Sequence, residues 1–206
     1  AFNGEIYNFQ ALRGRLGALG HVLRNAGDTE VIVHAYEQWG DDFPLYLNGM
    51  FGLAVWDEKR RRLVIARDRY GEKPVYYHQD GDRLLFASEV KPLLAYAGLS
   101  AEIEPAALDS FLTLRYACHP HTFFKGVRKL PPGWLLIREA DGSVVTRPYY
   151  TPDFDSNEAP GRTDEVVAER YAELLEESVR LRMMADVPLG AFLSGGIDSN
   201  AFIYWM

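Results

Sequence analysis

Gly49-Met50-Phe51-Gly52-Leu53-Ala54-Val55-Trp56, the charged turn Asp57-Glu58-Lys59-Arg60-Arg61, and Arg62-Leu63-Val64-Ile65-Ala66-Arg67 form the stretch that decides the fold. Residues 50–56 are apolar at consecutive positions, so both faces of the strand are covered and it belongs inside a layered structure. The turn returns the chain, and 62–67 reads as the antiparallel partner. Further hairpins follow the same pattern. Val75-Tyr76-Tyr77-His78 and Arg83-Leu84-Leu85-Phe86-Ala87 flank Asp80-Gly81-Asp82, and Trp134–Arg138 and Ser143–Arg147 flank Asp141-Gly142. Together these hairpins predict an antiparallel sheet.

Upstream of the first hairpin the period is helical. Phe9, Leu12, Leu16 and Leu19 share a face before Gly20, and Val31, Ile32, Ala35, Tyr36 and Trp39 share another before Gly40. Asp28 stands at the N-cap of this second helix, with Glu30 in its first turn. Two more helices are predicted downstream, over Glu89–Tyr96 and Pro105–Arg115, the second opened by a proline whose φ suits a first turn. Ala1-Phe2-Asn3-Gly4 reads as a strand running into a turn.

Tyr150 to Arg162 carries Pro152, Asn157, Pro160 and Gly161 among acidic residues without an apolar period, a linker composition. A long helix is predicted from Asp164 to about Ala185. Asp186-Val187-Pro188 then opens an apolar run that ends in Leu193-Ser194-Gly195-Gly196-Ile197-Asp198-Ser199. A strand ending in Ser-Gly-Gly and turning into a helix presents free backbone N–H groups to an anion, and Ser194 and Ser199 add hydroxyls. It lacks the lysine of the GxxxxGK[ST] nucleotide loop. Helix, parallel-type strand, glycine turn and helix are the opening of an α/β nucleotide domain.

Composition narrows the functional classes. The 206 residues are 48% hydrophobic and 13% aromatic, enough for a packed core, and a formal charge of −7 leaves no basic surplus for nucleic acid. No apolar stretch reaches the roughly 18 residues of a spanning helix, so the expectation is a cytoplasmic protein without membrane or nucleic-acid partners. The single cysteine, Cys118, excludes an internal disulfide. Cys118, His119 and His121 lack a fourth ligand at a usual spacing, and no metal site is expected there. In Arg67-Asp68-Arg69, mutual ion pairing at a hairpin end is expected.

Asn3-Gly4-Glu5-Ile6-Tyr7-Asn8, Asp28-Thr29-Glu30, Asn48-Gly49-Met50-Phe51, Ala66-Arg67-Asp68-Arg69, Gly71-Glu72-Lys73-Pro74, Phe86-Ala87-Ser88-Glu89-Val90-Lys91, Lys129-Leu130-Pro131-Pro132-Gly133 and the Ser194–Ser199 loop occur in one order. In that order and spacing the chain resembles the glutamine-dependent asparagine synthetases over essentially its whole length. The resemblance implies an α+β N-terminal-nucleophile hydrolase sandwich of αββα layers, incomplete at its N-terminus, over residues 1–150. It implies a linker over 151–163 and the start of an α/β ATP-pyrophosphatase domain over 164–206. The implied reaction hydrolyses glutamine and passes ammonia to aspartate through β-aspartyl-AMP, giving asparagine, AMP and pyrophosphate. Glutamine, aspartate and ATP are the implied small-molecule substrates, with Mg²⁺ as cofactor and a homodimer as the candidate assembly.

Residue by residue, the resemblance implies that the Asn3 side-chain amide and the Gly4 backbone N–H form the oxyanion hole. Asn3, Glu5 and Asp28 would hold glutamine, the carboxylates meeting its ammonium. Leu193, Ser194, Gly195, Gly196, Asp198 and Ser199 would hold ATP and its pyrophosphate, with Asp198 orienting the loop or a metal-bound water. The family's nucleophile is a cysteine at the mature N-terminus, and residue 1 here is Ala1. The arginine that holds the glutamine carboxylate lies upstream of the matching region. These 206 residues alone are therefore expected to lack both turnovers. The alternatives are a relative that amidates or cyclises another carboxylate, as β-lactam synthetase does, or a catalytically dead glutamine-binding scaffold.

Overall fold

The computed structural model describes residues 1–96, 98–153 and 163–206. It contains two compact units, Ala1–Thr151 and Pro152–Met206. Most of the expected linker lies outside the described residues.

The first unit holds two sheets. Strands β1 (Phe2–Ile6), β2 (Gly49–Asp57), β3 (Arg62–Arg67), β7 (Trp134–Arg138) and β8 (Val144–Pro148) make a five-stranded antiparallel sheet in the order β1-β2-β3-β7-β8. Strands β4 (Tyr76–Asp80), β5 (Arg83–Ala87) and the two-residue β6 (Arg128–Lys129) make a second, in the order β5-β4-β6. The hairpins thus divide between two sheets instead of joining one.

The alternating faces of the central strands explain the division. Phe51, Leu53 and Val55 of β2, Val64 and Ala66 of β3, and Leu135 and Ile137 of β7 pack with Leu12, Leu16, Val31, Ile32, Ala35 and Tyr36. Those six belong to helices α1 (Phe9–Ala18) and α2 (Thr29–Trp39), so this face is covered by the helix layer. On the opposite face Ala54, Ile65 and Leu136 meet Val75, Tyr77 and Leu130 from the second sheet and its flanks. The short helix α3 (Val90–Leu94) packs on β4 and β5. Helix, sheet, sheet and helix are stacked in αββα order. The apolar runs on both faces of β2 and β3 are what a doubly covered sheet requires.

Two local expectations change, and one element was not expected. The helix expected over Glu89–Tyr96 is confined to Val90–Leu94. A 3-10 segment, Gly40–Tyr46, follows α2 and buries Phe43. Asp28 precedes α2 but makes no side-chain capping bond to it, because its carboxylate is committed to β1.

The second unit consists of α5 (Asp164–Arg182) and α6 (Ile197–Tyr204), while α4 (Pro105–Leu114) belongs to the first. The strand expected after Asp186 is not formed. No other strand lies in Pro152–Met206 among the described residues, so residues 187–193 have no neighbour there to complete a ladder. Val187, Leu189, Phe192 and Leu193 are exposed.

Candidate functional site

The geometry of the β1 edge follows from ladder parity. Ala1 and Ala54 exchange backbone bonds of 2.9 and 2.8 Å, and the Tyr7 N–H donates to Asn48 O at 2.7 Å. With Phe2 opposite Leu53, Gly4 opposite Phe51 and Ile6 opposite Gly49, the odd-numbered residues of β1 turn their backbone groups toward β2. The even-numbered residues turn theirs away. Since β1 is the outermost strand of this sheet among the described residues, the Gly4 N–H points away from β2. The Ile6 N–H points the same way and donates to Asp28 Oδ2 at 3.0 Å. One backbone bond therefore fixes a carboxylate along the edge that presents the Gly4 donor.

Gly4 cannot be another residue without disruption. Its φ is +153°, and a Cβ added there would stand 2.0 Å from Met50 O and 2.8 Å from Phe51 Cα. It sits at a non-hydrogen-bonded pair, where antiparallel backbones approach most closely. Asn3 and Glu5, one residue to either side, project from the opposite face to Gly4 and are exposed. Asn3 borders a cleft of about 270 Å³ between the two sheets, shared with Ala1, Gly52, Val75, Phe86 and Ser88.

The loop after β3 supports this edge from behind. Asp68 is 1% exposed, and its carboxylate accepts from the backbone N–H groups of Phe51 (3.2 Å), Tyr70 (3.1 Å), Glu72 (2.9 Å) and Lys73 (2.9 Å). Arg67 donates to the carbonyls of Lys73, Leu130 and Gly71 at 2.6–2.7 Å. The expected mutual ion pairing is replaced by two buried charges that each satisfy backbone. Asp68 holds Phe51, and Phe51 lies opposite Gly4. Burial pushes Arg67 below its ordinary pKa. Burial, followed by the Asp68 charge, pushes the Tyr149 hydroxyl up, so it remains a donor to Arg67 O at 2.8 Å. The sequence signal for this support was Ala66-Arg67-Asp68-Arg69 before Gly71, with the charges at a strand end where backbone groups lose their ladder partners.

In the second unit, Gly195 has φ +78° and Gly196 is the N-cap of α6. The Ser194 and Ser199 hydroxyls lie 2.6 Å apart, and the Gly196 N–H approaches Ser194 Oγ at 3.4 Å. Asp198 lies in the first turn of α6, and Leu193 precedes the loop in an exposed position. The loop is thus closed on itself by two serines around a left-handed glycine. The structure brings Asn3, Gly4, Glu5 and Asp28 together in one unit and Leu193–Ser199 in the other.

Comparison with known proteins bears on these arrangements. Residues 1–150 match the glutamine amidotransferase domain model, and residues 170–206 match the asparagine synthase model. Over 201 residues the chain is 39% identical to asparagine synthetase [glutamine-hydrolyzing] 3 of Bacillus subtilis, covering 97% of this chain and 32% of that protein. It is 40% identical over 206 residues to a putative asparagine synthetase [glutamine-hydrolyzing] of Mycobacterium bovis, covering 97% and 31%. The chain therefore spans about a third of the length of these curated relatives. Among solved structures, a glutamine phosphoribosylpyrophosphate amidotransferase from B. subtilis aligns with a TM-score of 0.50 at 16% identity, over 98% of this chain and 42% of that one. At that identity the likeness concerns the fold. The αββα sandwich of the first unit is that of the N-terminal-nucleophile glutamine amidotransferases, and the chain belongs to the glutamine amidotransferase domain family, joined to a segment that matches asparagine synthase.

Proposed function

We propose that the first unit is the glutamine-hydrolysing half of an ATP-dependent amide ligase that makes asparagine from aspartate. The observation that carries this reading is the Gly4 N–H turned away from β2, with Asp28 anchored two residues along the same side of β1. Attack on the glutamine amide carbon places negative charge on its oxygen. A backbone N–H already oriented by a sheet meets that charge without reorganising, and one such donor is worth about 3 kcal/mol. The Asn3 side-chain amide is the second donor. Asp28 Oδ1, which accepts the Thr29 hydroxyl at 3.4 Å, has a lone pair left for a substrate ammonium while Oδ2 holds the Ile6 N–H, and Glu5 adds charge of the same sign from the strand.

The second unit is read as the pyrophosphate-binding part of the ligase. The left-handed turn at Gly195, the serine hydroxyls and the first N–H groups of α6 fit an anion. Attack of the acceptor carboxylate on the α-phosphorus of ATP bound there would release pyrophosphate into the loop and leave the carboxylate activated as an acyl-adenylate. Asp198, in the first turn of α6, would orient the loop or a water on Mg²⁺, and Leu193, just before the loop, would touch the nucleotide. The test is pyrophosphate release by the intact protein given glutamine, ATP and Mg²⁺, with and without aspartate. Release that depends on aspartate is expected; equal release without it contradicts the assignment of the acceptor.

A further inference from the structure

On the solvent side of the helix layer, His21 from the segment between α1 and α2 meets His34 and Glu37 from α2. His21 Nδ1 and His34 Nδ1 are 3.2 Å apart, His34 Nδ1 and Glu37 Oε2 are 3.1 Å apart, and His21 Nδ1 and Glu37 Oε2 are 3.7 Å apart. Two imidazole nitrogens bound to one tetrahedral ion at 2.0–2.1 Å stand about 3.3 Å from each other. The three atoms therefore outline a triangle of the size that a tetrahedral ion's ligands make on one face. His34 and Glu37 are three apart on one helix face, and the two imidazole rings meet edge to face at 5.1 Å.

The outer nitrogens have partners of the kind that aim metal ligands. His21 Nε2 lies 3.0 Å from Gln38 Oε1, so its proton belongs on Nε2 and the lone pair on Nδ1. His34 Nε2 faces Glu30 Oε1 at 3.9 Å, which favours the same tautomer. Both lone pairs then converge. Without an ion, two facing lone pairs are avoided only if one ring carries a proton on Nδ1, given to the other ring at 3.2 Å or, from His34, to Glu37 Oε2 at 3.1 Å. Glu30 itself is held by the N–H groups of Arg24 (2.8 Å) and Asn25 (2.7 Å) and by Arg13 at 3.6 Å, so the outer layer is fixed.

We propose that His21 Nδ1, His34 Nδ1 and Glu37 Oε2 bind one divalent transition ion of the zinc class, a solvent molecule completing the shell. The ion would clip the segment that leads to Asp28 onto α2. Two imidazoles and a carboxylate suit zinc and exclude calcium or magnesium, which need more oxygen donors.

The test is competitive titration of intact, tag-free protein with Zn²⁺ against a chromogenic chelator. One equivalent of Zn²⁺ bound in competition is expected. His21→Ala and His34→Ala each abolish uptake, and Gln38→Ala weakens it about tenfold by removing the partner of His21 Nε2. Glu37 is exposed, so Glu37→Gln keeps the fold and still weakens uptake at least tenfold. His119→Ala/His121→Ala leaves uptake unchanged. No uptake by the unaltered protein, wild-type uptake in the His21 and His34 variants, or loss of uptake in the His119/His121 variant overturns the proposal.

Discussion

Two glycines serve candidate anion-stabilising sites in this chain, and they are held in opposite ways. Gly4 is wedged against the backbone of β2, where a Cβ would meet Met50 O at 2.0 Å. Gly195 has the left-handed φ of +78° with nothing within 4 Å of an added Cβ. The first site is made by tertiary structure: Asp68 fixes Phe51, Phe51 opposes Gly4, and the ladder aims the Gly4 N–H outward. The second is made by a local turn and a serine–serine bond. A donor aimed by a sheet cannot be altered without altering the sheet, whereas a donor aimed by a turn can be lost alone.

The largest expected effect that would break this contrast is at Gly4. Gly4→Ala should destabilise the first unit by about 3 kcal/mol or more, since backbone must move, while Gly195→Ala should cost only about 1–2 kcal/mol of local strain. Urea denaturation followed by tryptophan fluorescence separates them; equal, small shifts would show that β1 is not wedged. Next comes the support behind it. Asp68→Ala leaves four backbone N–H groups without their acceptor, and a loss of about 3 kcal/mol is expected in the same experiment. Asp68→Asn should recover part of it by keeping one acceptor oxygen.

A smaller effect separates the units by pH. Burial alone would raise the Asp41 carboxyl, but hydrogen bonds from Arg62 (2.7 and 2.8 Å) and Arg147 (3.0 Å) outweigh it and hold the carboxyl below its ordinary value. A depressed carboxyl contributes stability that is complete above its unfolded pKa, about 3.9, and is lost as pH falls through the folded value. The first unit should lose stability below about pH 4, and Asp41→Asn should flatten that part of the profile. In the second unit a Thr163 hydrogen bond lowers Glu165, but Glu165 is fully exposed. The α5 signal should therefore respond little to the same acidification. Smallest of all, Ser199→Ala removes the exposed 2.6 Å serine contact and should shift melting by less than about 1 kcal/mol equivalent.

The same contrast explains what was legible in the sequence. The hairpins at Asp80-Gly81-Asp82 and Asp141-Gly142, the helix faces of α1 and α2, and the doubly apolar β2 and β3 are local patterns. They appear in the structure within a residue or two. The partition into two sheets was not local. It depends on which face of β3 meets Val75 and Leu130, residues remote in the chain, and β6 is too short at two residues to leave a period. The string Asn3-Gly4-Glu5 was legible, but the direction of its N–H groups required the register with β2. Asp28 carries a capping residue's chemistry at a capping position, yet a tertiary acceptor role at Ile6 displaces the cap. Arg67 and Asp68 were legible as charges and illegible as backbone partners, because their partners span residues 51 to 130. The strand expected at 187–193 failed for the complementary reason: an apolar run specifies a strand only where another strand is there to pair with it.

The central claim is that the β1 edge stabilises the oxyanion formed from glutamine. It is tested most directly by steady-state glutaminase kinetics of the intact protein with Asn3→Ala, an exposed substitution that leaves the Gly4 wedge in place. The expected result is a fall in kcat of about 10²–10³ with an unchanged melting temperature. Glutamine turnover by Asn3→Ala within twofold of the unaltered protein would contradict it.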